Sequence, residues 1–115
     1  MRPSILIDQK RYYLLDDFSE FQEGKGRHYE IDRVQIAAML WQGDIYAFDA
    51  RCPHEGGALY EGCLQNGKIV CPRHGWTFDL TTGKRDMNPL IQIACYKTII
   101  QDGMVFVCIE KNKEI

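Results

Sequence analysis

The sequence has little of what marks a membrane-bound, secreted or nucleic-acid-binding chain. No apolar run approaches the roughly 20 residues that a membrane helix needs. The apolar Ile5-Leu6-Ile7 is broken by Asp8 and Lys10, too soon for the core of a secretory leader. Lysine plus arginine number 14 against 16 acidic residues, a net charge of −2, so the basic excess of a nucleic-acid binder is missing. Repeats and low-complexity segments are absent, and no long segment carries helical periodicity. Five cysteines without a leader point to thiols in a reducing compartment, the cytoplasm, and not to a disulfide framework. Histidine is scarce, at three in 115 residues, so where each one falls is informative.

What is present is an ordinary globular composition, 45% hydrophobic and 26% charged, long enough for one domain over residues 1–115. Short strand-like runs recur between turn signals. Residues 11–15, 27–31, 34–41 and 45–49 read as strands, the last two joined through Gln42-Gly43-Asp44. Asn66-Gly67 and Asp102-Gly103 carry the signal of tight hairpins, the second between strands 96–101 and 104–109. Residues 77–80 form a short strand before the turn at Thr82-Gly83-Lys84. Phe18 and Phe21 are expected to anchor the loop 16–26 to the core, and 111–115 to fray. Many short strands with regular turns indicate an all-β sandwich or barrel.

Two boxes carry the chemistry. Cys52-Pro53-His54 is C-x-H, and Cys71-Pro72-Arg73-His74 is C-x2-H, with sixteen residues between His54 and Cys71. Each continues into glycine, Gly56-Gly57 and Gly75. A structural zinc site also takes two cysteines and two histidines, but it usually pairs C-x2-4-C with H-x3-5-H, a spacing not found here. Two thiolates and two imidazoles from separate loops are instead the ligand set of a [2Fe–2S] centre in which histidines replace cysteines on one iron. Two thiolates leave the oxidised core neutral where four would leave it at −2, so an added electron meets less negative charge.

The boxes C-P-H-E-G-G-A-L (52–59) and C-P-R-H-G-W-T-F-D-L-T-T-G (71–83) resemble those of the Rieske-type ferredoxins. The resemblance runs from about residue 12 to 109, as a strand pattern outside the boxes. It implies a Rieske-type β-sandwich or barrel with a small inserted cluster-binding subdomain at about 50–82. It implies one [2Fe–2S] cluster, with Cys52 and Cys71 on the inner iron and His54 and His74 on the outer one. Pro89 stands roughly where the family has a proline loop over the cluster. Trp41 and Trp76 read as packing residues. Cys63, Cys95 and Cys108 are expected in or near the core, with no ligand role.

Departures from the high-potential members narrow the branch. Those members carry a disulfide where this chain has Gly57 and Arg73, and serine and tyrosine hydroxyls where it has Trp76 and Phe78. Fewer hydrogen bonds to sulfur mean a lower potential. The resemblance is therefore to soluble, low-potential ferredoxins that carry one electron from a flavin-dependent reductase to a terminal oxygenase. No catalytic residue is expected, nor any membrane or nucleic-acid partner, and the chain is expected to be monomeric in isolation. A complete oxygenase would need a mononuclear iron on two histidines and a carboxylate, and only His28 remains. The small subunit of an NAD(P)H-dependent nitrite reductase shares this fold and length but often lacks intact ligands. A redox-sensing Rieske module is the third reading.

Overall fold

The computed structural model describes residues 2–53, 56–73 and 75–110; His54, Glu55, His74 and the expected frayed tail lie outside them. Ten strands follow in chain order. They are β1 (Ser4–Ile7), β2 (Lys10–Asp17), β3 (Gly26–Ile31), β4 (Val34–Trp41) and β5 (Asp44–Asp49). After the first box come β6 (Cys63–Gln65), β7 (Lys68–Val70), β8 (Thr77–Asp79), β9 (Cys95–Gln101) and β10 (Met104–Cys108). Seven form one antiparallel sheet in the order β1-β2-β10-β9-β5-β4-β3, and β6-β7-β8 form a second. Only two short 3-10 turns, Phe18–Glu20 and Leu59–Glu61, interrupt the strands among the described residues. The chain is all-β, as its turn signals indicate.

The large sheet curls because its far strands meet through side chains. Tyr29 donates to Asp16 at 2.7 Å, Arg27 pairs with Asp16 at 3.1 Å, and Tyr13 donates to Asp32 at 3.0 Å, tying β2 to β3. A register shift at Val105/Phe106 in β10 adds the local bend expected of a bulge.

Two cores share the central strands. In β4, Ile36 and Ala38 enter the core inside the curl, with Leu15, Val105 and Val107. Their neighbours Ala37 and Met39 enter a second core with Phe48, Leu59, Ile69 and Phe78. Alternation along a strand sends successive side chains to opposite faces, and here both faces are covered. All four residues from Ile36 to Met39 are fully buried. The second core fastens the small sheet to the large one. Phe48 and Phe78, each fully buried, contribute about 1.5–3 kcal/mol apiece. Phe21 is buried in the first core and Phe18 packs against it, as expected.

Two expectations need correction. The strand β1 is absent from the sequence reading, which weighs Ile5-Leu6-Ile7 only as the core of a leader; its hairpin turn, Asp8-Gln9, takes φ of 52° and 67° without glycine. Cys63 and Cys95 are exposed and only Cys108 is buried. Cys63 lies on β6, an edge of the three-stranded sheet, and Cys95 opens β9, where pairing with β5 covers only two residues.

Candidate functional site

The two cysteine boxes are built alike. Arg51 bridges Ala58 in antiparallel fashion, and Val70 pairs with Thr77 between β7 and β8. One residue inward, Cys52 N–H donates to Gly57 C=O at 2.7 Å, and Cys71 N–H donates to Trp76 C=O at 2.7 Å. Gly56 N–H then donates back to Cys52 C=O, and Gly75 N–H to Cys71 C=O, both at 3.0 Å. Gly56 and Gly75 hold φ of 68° and 74°, a conformation that glycine adopts without a Cβ penalty. Both boxes are therefore hairpin tips with one hydrogen-bonding frame. The cysteine is the last paired residue, proline follows it and fixes φ, and a left-handed glycine closes the turn.

The tips lie against each other. A Cβ added at Gly57 would stand 2.8 Å from Cys71 Sγ and 3.3 Å from the Cβ of Arg73. Positions 57 and 73 thus lie close to the Cβ separation of a disulfide, about 3.5–4.5 Å, and this chain has no thiol at either. Cys52 and Cys71 are each 2% exposed, and no disulfide involves them. Two buried thiols at equivalent positions of adjacent tips fit the sulfur half of a [2Fe–2S] site. The expected imidazole half, His54 and His74, lies outside the described residues. Among the described residues no three His, Cys, Asp or Glu side chains gather as a metal site.

The surroundings also answer the sequence. Phe78 is fully buried, and Trp76 packs against it with ring centroids 6.4 Å apart, so neither position offers a hydroxyl. Trp41 packs on Tyr46 and lies over Gly67, confirming a packing role. The segment around Pro89 is a closed loop beside the second tip. Arg85 N–H donates to Ile91 C=O, Ile91 N–H to Asn88 C=O, and Asp86 N–H to Thr77 C=O. Asp86 also pairs with Lys68 at 2.9 Å. On this loop Met87 and Leu90 are 83% and 93% exposed.

Sequence reasoning missed three residues here. Arg85 lies with its guanidinium carbon 3.5 Å from the Trp76 ring centroid, and nothing beside it in sequence marks that stack. Arg51 lies over Tyr60 at 5.8 Å. Asp49 accepts from Ala94 N–H at 2.8 Å and from Tyr96 O–H at 2.9 Å, fixing the strand that leads into the first tip. His28, outside the ligand set, stacks on Tyr60 at 4.4 Å.

Cys95 is unsuited to thiolate chemistry. Its residue is largely open, but its sulfur lies under Leu80, 3.8 Å from that carbonyl. Burial, then Asp49 and Asp79, push the thiol up to about 11. It lines an open groove of about 340 Å³ between β5, β9 and Leu80-Thr81, lined by neither Cys52 nor Cys71.

Residues 11–97 match the model of the Rieske [2Fe-2S] domain. The ferredoxin component of the naphthalene 1,2-dioxygenase/salicylate 5-hydroxylase systems of Ralstonia sp is 33% identical over 84% of this chain and 90% of its own length. Apoptosis-inducing factor 3 of Homo sapiens is 28% identical over 81% of this chain, which spans only 16% of that protein. Among solved structures, a complex of reduced oxygenase and oxidised ferredoxin in carbazole 1,9a-dioxygenase contains a chain that superposes with a TM-score of 0.80. It is 27% identical and covers 90% of this chain and 97% of its own. A Mycobacterium tuberculosis chain assigned as an NADH-dependent nitrite reductase small subunit also gives 0.80, over 92% and 96%, at 16% identity, a likeness of fold alone. With its family model covering most of the chain and both cysteines in place, this chain belongs to the Rieske [2Fe–2S] domain family, whose cofactor is the Rieske cluster.

Proposed function

We propose that the chain is a one-electron carrier that takes electrons from a flavin-dependent reductase and delivers them to a terminal oxygenase. The observation that carries this reading is the pair of matched hairpin tips, which brings Cys52 and Cys71 together as buried thiols. In this reading Cys52 and Cys71 hold one iron, and His54 and His74 hold the other. The bound cluster supplies reversible one-electron chemistry at a potential set by its ligands and hydrogen bonds. The chain's own part is to bind and orient. The paired strands fix the sulfur positions, and Pro53 and Pro72 stiffen the turns. The core of Phe48, Leu59, Ile69 and Phe78 keeps water from the cysteine side. Residues 50–82, with the small sheet, act as the cluster-binding subdomain on the larger sheet.

Likeness to dioxygenase ferredoxin components over nearly their whole length supports the carrier role and the oxygenase partner. Five thiols and no disulfide agree with a cytoplasmic location. No helix among the described residues is long and apolar enough to cross a membrane. A nitrite reductase small subunit is the second reading, since such a chain shares the fold.

Purified protein should hold about two irons and two acid-labile sulfides. Its reduced EPR spectrum should show the low average g value of mixed cysteine and histidine ligation. The reduced protein should then support turnover of a ring-hydroxylating oxygenase supplied with substrate and oxygen. Zinc without labile sulfide would end the cluster assignment. Electron delivery to a sirohaem nitrite reductase and to no oxygenase would move the chain to the second reading.

A further inference from the structure

We infer that the electron-transfer partner meets this chain with an apolar pocket bordered by carboxylates. The pocket receives Met87 and Leu90, and the carboxylates face Arg51 and Arg85. The inference rests on the carrier reading and adds the chemistry of the docking surface.

Met87 and Leu90 are two of the four large apolar side chains exposed on the described surface, and they share one short loop. That loop is braced. Its ends are joined through Arg85 N–H and Ile91 C=O, and Leu90 N–H and Ile91 N–H both donate to Asn88. Asp86 ties it to Lys68 and Thr77. A braced apolar projection loses little entropy on entering a pocket, as an interface anchor requires.

Charge says what borders the pocket. Residues 50–92 hold five cations, Arg51, Lys68, Arg73, Lys84 and Arg85, against four anions, Glu55, Glu61, Asp79 and Asp86, a net of +1. The remaining nine cations and twelve anions give −3; the reduced cluster adds −1 to the segment that holds it, which is then neutral and still the less negative part of the chain. Within that segment, Asp86 is neutralised by Lys68, and Asp79 is held by Thr81 and Thr82. Arg51 and Arg85 are laid on aromatic rings instead. Arg51 lies over Tyr60, which follows the first tip, and Arg85 over Trp76, which closes the second. The ion pairs among the described residues are Arg27–Asp16 and Lys68–Asp86, and neither uses these two arginines. The Nε of Arg85 is buried without a hydrogen-bond partner among the described residues. A stacked guanidinium keeps its charge and its outer N–H groups for an incoming carboxylate.

The test uses reduced, cluster-loaded protein in anaerobic stopped-flow with two small oxidants of opposite charge, ferricyanide and tris(phenanthroline)cobalt(III). If the local field at the tips governs, the ferricyanide rate falls by about threefold or more as NaCl rises from about 20 to about 500 mM, and the cobalt rate rises. The net charge alone, −2 from side chains and −3 with the reduced cluster, would give the opposite slopes. Arg51→Gln should lessen the ferricyanide slope. Met87→Ser/Leu90→Ser should leave both small-oxidant rates within about twofold. The same double change should slow reduction of cytochrome b5, whose apolar haem edge is ringed by carboxylates, by about tenfold. A ferricyanide rate that climbs with salt, or cytochrome b5 reduction indifferent to the serine pair, overturns the inference and leaves the carrier reading standing. Failure to reduce any of the three acceptors would instead remove the carrier reading itself.

Discussion

Replacing Asp49 tests whether the site depends on one half-buried carboxylate outside the cysteine boxes. Asp49 ends β5, three residues before Cys52. Its two oxygens accept from Ala94 N–H at 2.8 Å and Tyr96 O–H at 2.9 Å, while its own N–H donates to Ala94 C=O. It thus joins the strand entering the first tip to the chain returning from the Pro89 loop. Asp49→Ala leaves a backbone N–H and a buried phenol without their acceptor. Each orphan costs about 1–3 kcal/mol, so a loss of about 2–6 kcal/mol is expected. Asp49→Asn keeps an acceptor for Ala94 and loses mainly the charge assistance, about 1 kcal/mol. Urea unfolding followed by far-UV circular dichroism reads both numbers. Bleaching of the cluster in urea should be faster in the alanine variant, because the first tip has lost its brace.

Tyr96 supplies an independent readout. Burial, then the charge of Asp49 and the hydrogen bond to it, raise its phenol above the ordinary value of 10.0. Burial and the bond to Asp16 likewise push Tyr29 up to about 12. A phenol whose folded pKa is raised favours the folded state below its unfolded pKa, near 10. That contribution is lost as pH rises toward the folded pKa. Wild-type stability should therefore decline above about pH 10, and Asp49→Asn should lower the Tyr96 transition while burial keeps it above the ordinary value. Difference spectra at about 295 nm against Tyr96→Phe would assign the transition. If Asp49→Ala unfolds at the wild-type midpoint and Tyr96 titrates near the ordinary value of 10.0, the bracing role is refuted.

Cys52→Ser and Cys71→Ser should each abolish the native cluster, seen as loss of visible absorbance and labile sulfide, while His28→Ala should retain it. Gly26→Ala should cost about 3 kcal/mol in denaturant midpoint, since its Cβ would stand 2.1 Å from the Tyr60 carbonyl oxygen; Gly24→Ala, with no atom within 4 Å but φ of 76°, should cost only about 1–2 kcal/mol. Lys68→Met should change stability by less than about 1 kcal/mol, because the pair with Asp86 is 40% and 35% exposed. Protein-film voltammetry should place the midpoint near the low end of the Rieske range, about −150 mV; a value well above zero would contradict the loss of hydroxyls at Trp76 and Phe78.

Much of the fold was legible because turns announce themselves through glycine. Asn66-Gly67 and Asp102-Gly103 hold positive φ at both residues, the geometry their sequences predict. Asp8-Gln9 and Asp32-Arg33 make the same turn without glycine; the strands beside the second were read from their own pattern, while the short β1 was not. Burial was less legible. Ile36 to Met39 reads as a strand, but that both its faces are covered follows from the small sheet packing behind β4, a contact between residues far apart in sequence. The boxes that carry Cys52 and Cys71 were legible as motifs. The stacks of Arg85 on Trp76 and Arg51 on Tyr60 were not, since an isolated arginine in a loop carries no spacing that predicts a partner.

The unequal spacing of the boxes, C-x-H and C-x2-H, conceals a shared construction. Counting from each cysteine, both tips use the same two hydrogen bonds and place a left-handed glycine at the same step, so the cysteines are equivalent although the histidines are not. That equivalence has a physical consequence. The cysteines sit in the paired, buried part of each hairpin, where the strand ladder fixes them. His54 and His74 come two and three residues later in sequence, between an exposed proline and an exposed glycine in each box. Burial thus falls within a few residues, from 2% exposure at Cys52 and Cys71 to open chain at Pro53, Gly56, Pro72, Arg73 and Gly75. A metal centre held from the cysteine side is screened there by the second core. In the proposed docking, a protein acceptor approaches it from the tips, near Arg51, which precedes the first box, and Arg85, which stacks on the residue closing the second. In the proposed carrier, the direction in which electrons enter and leave is set by hairpin register, because the same ladder that buries the sulfurs leaves Pro53, Gly56, Pro72, Arg73 and Gly75 in solvent.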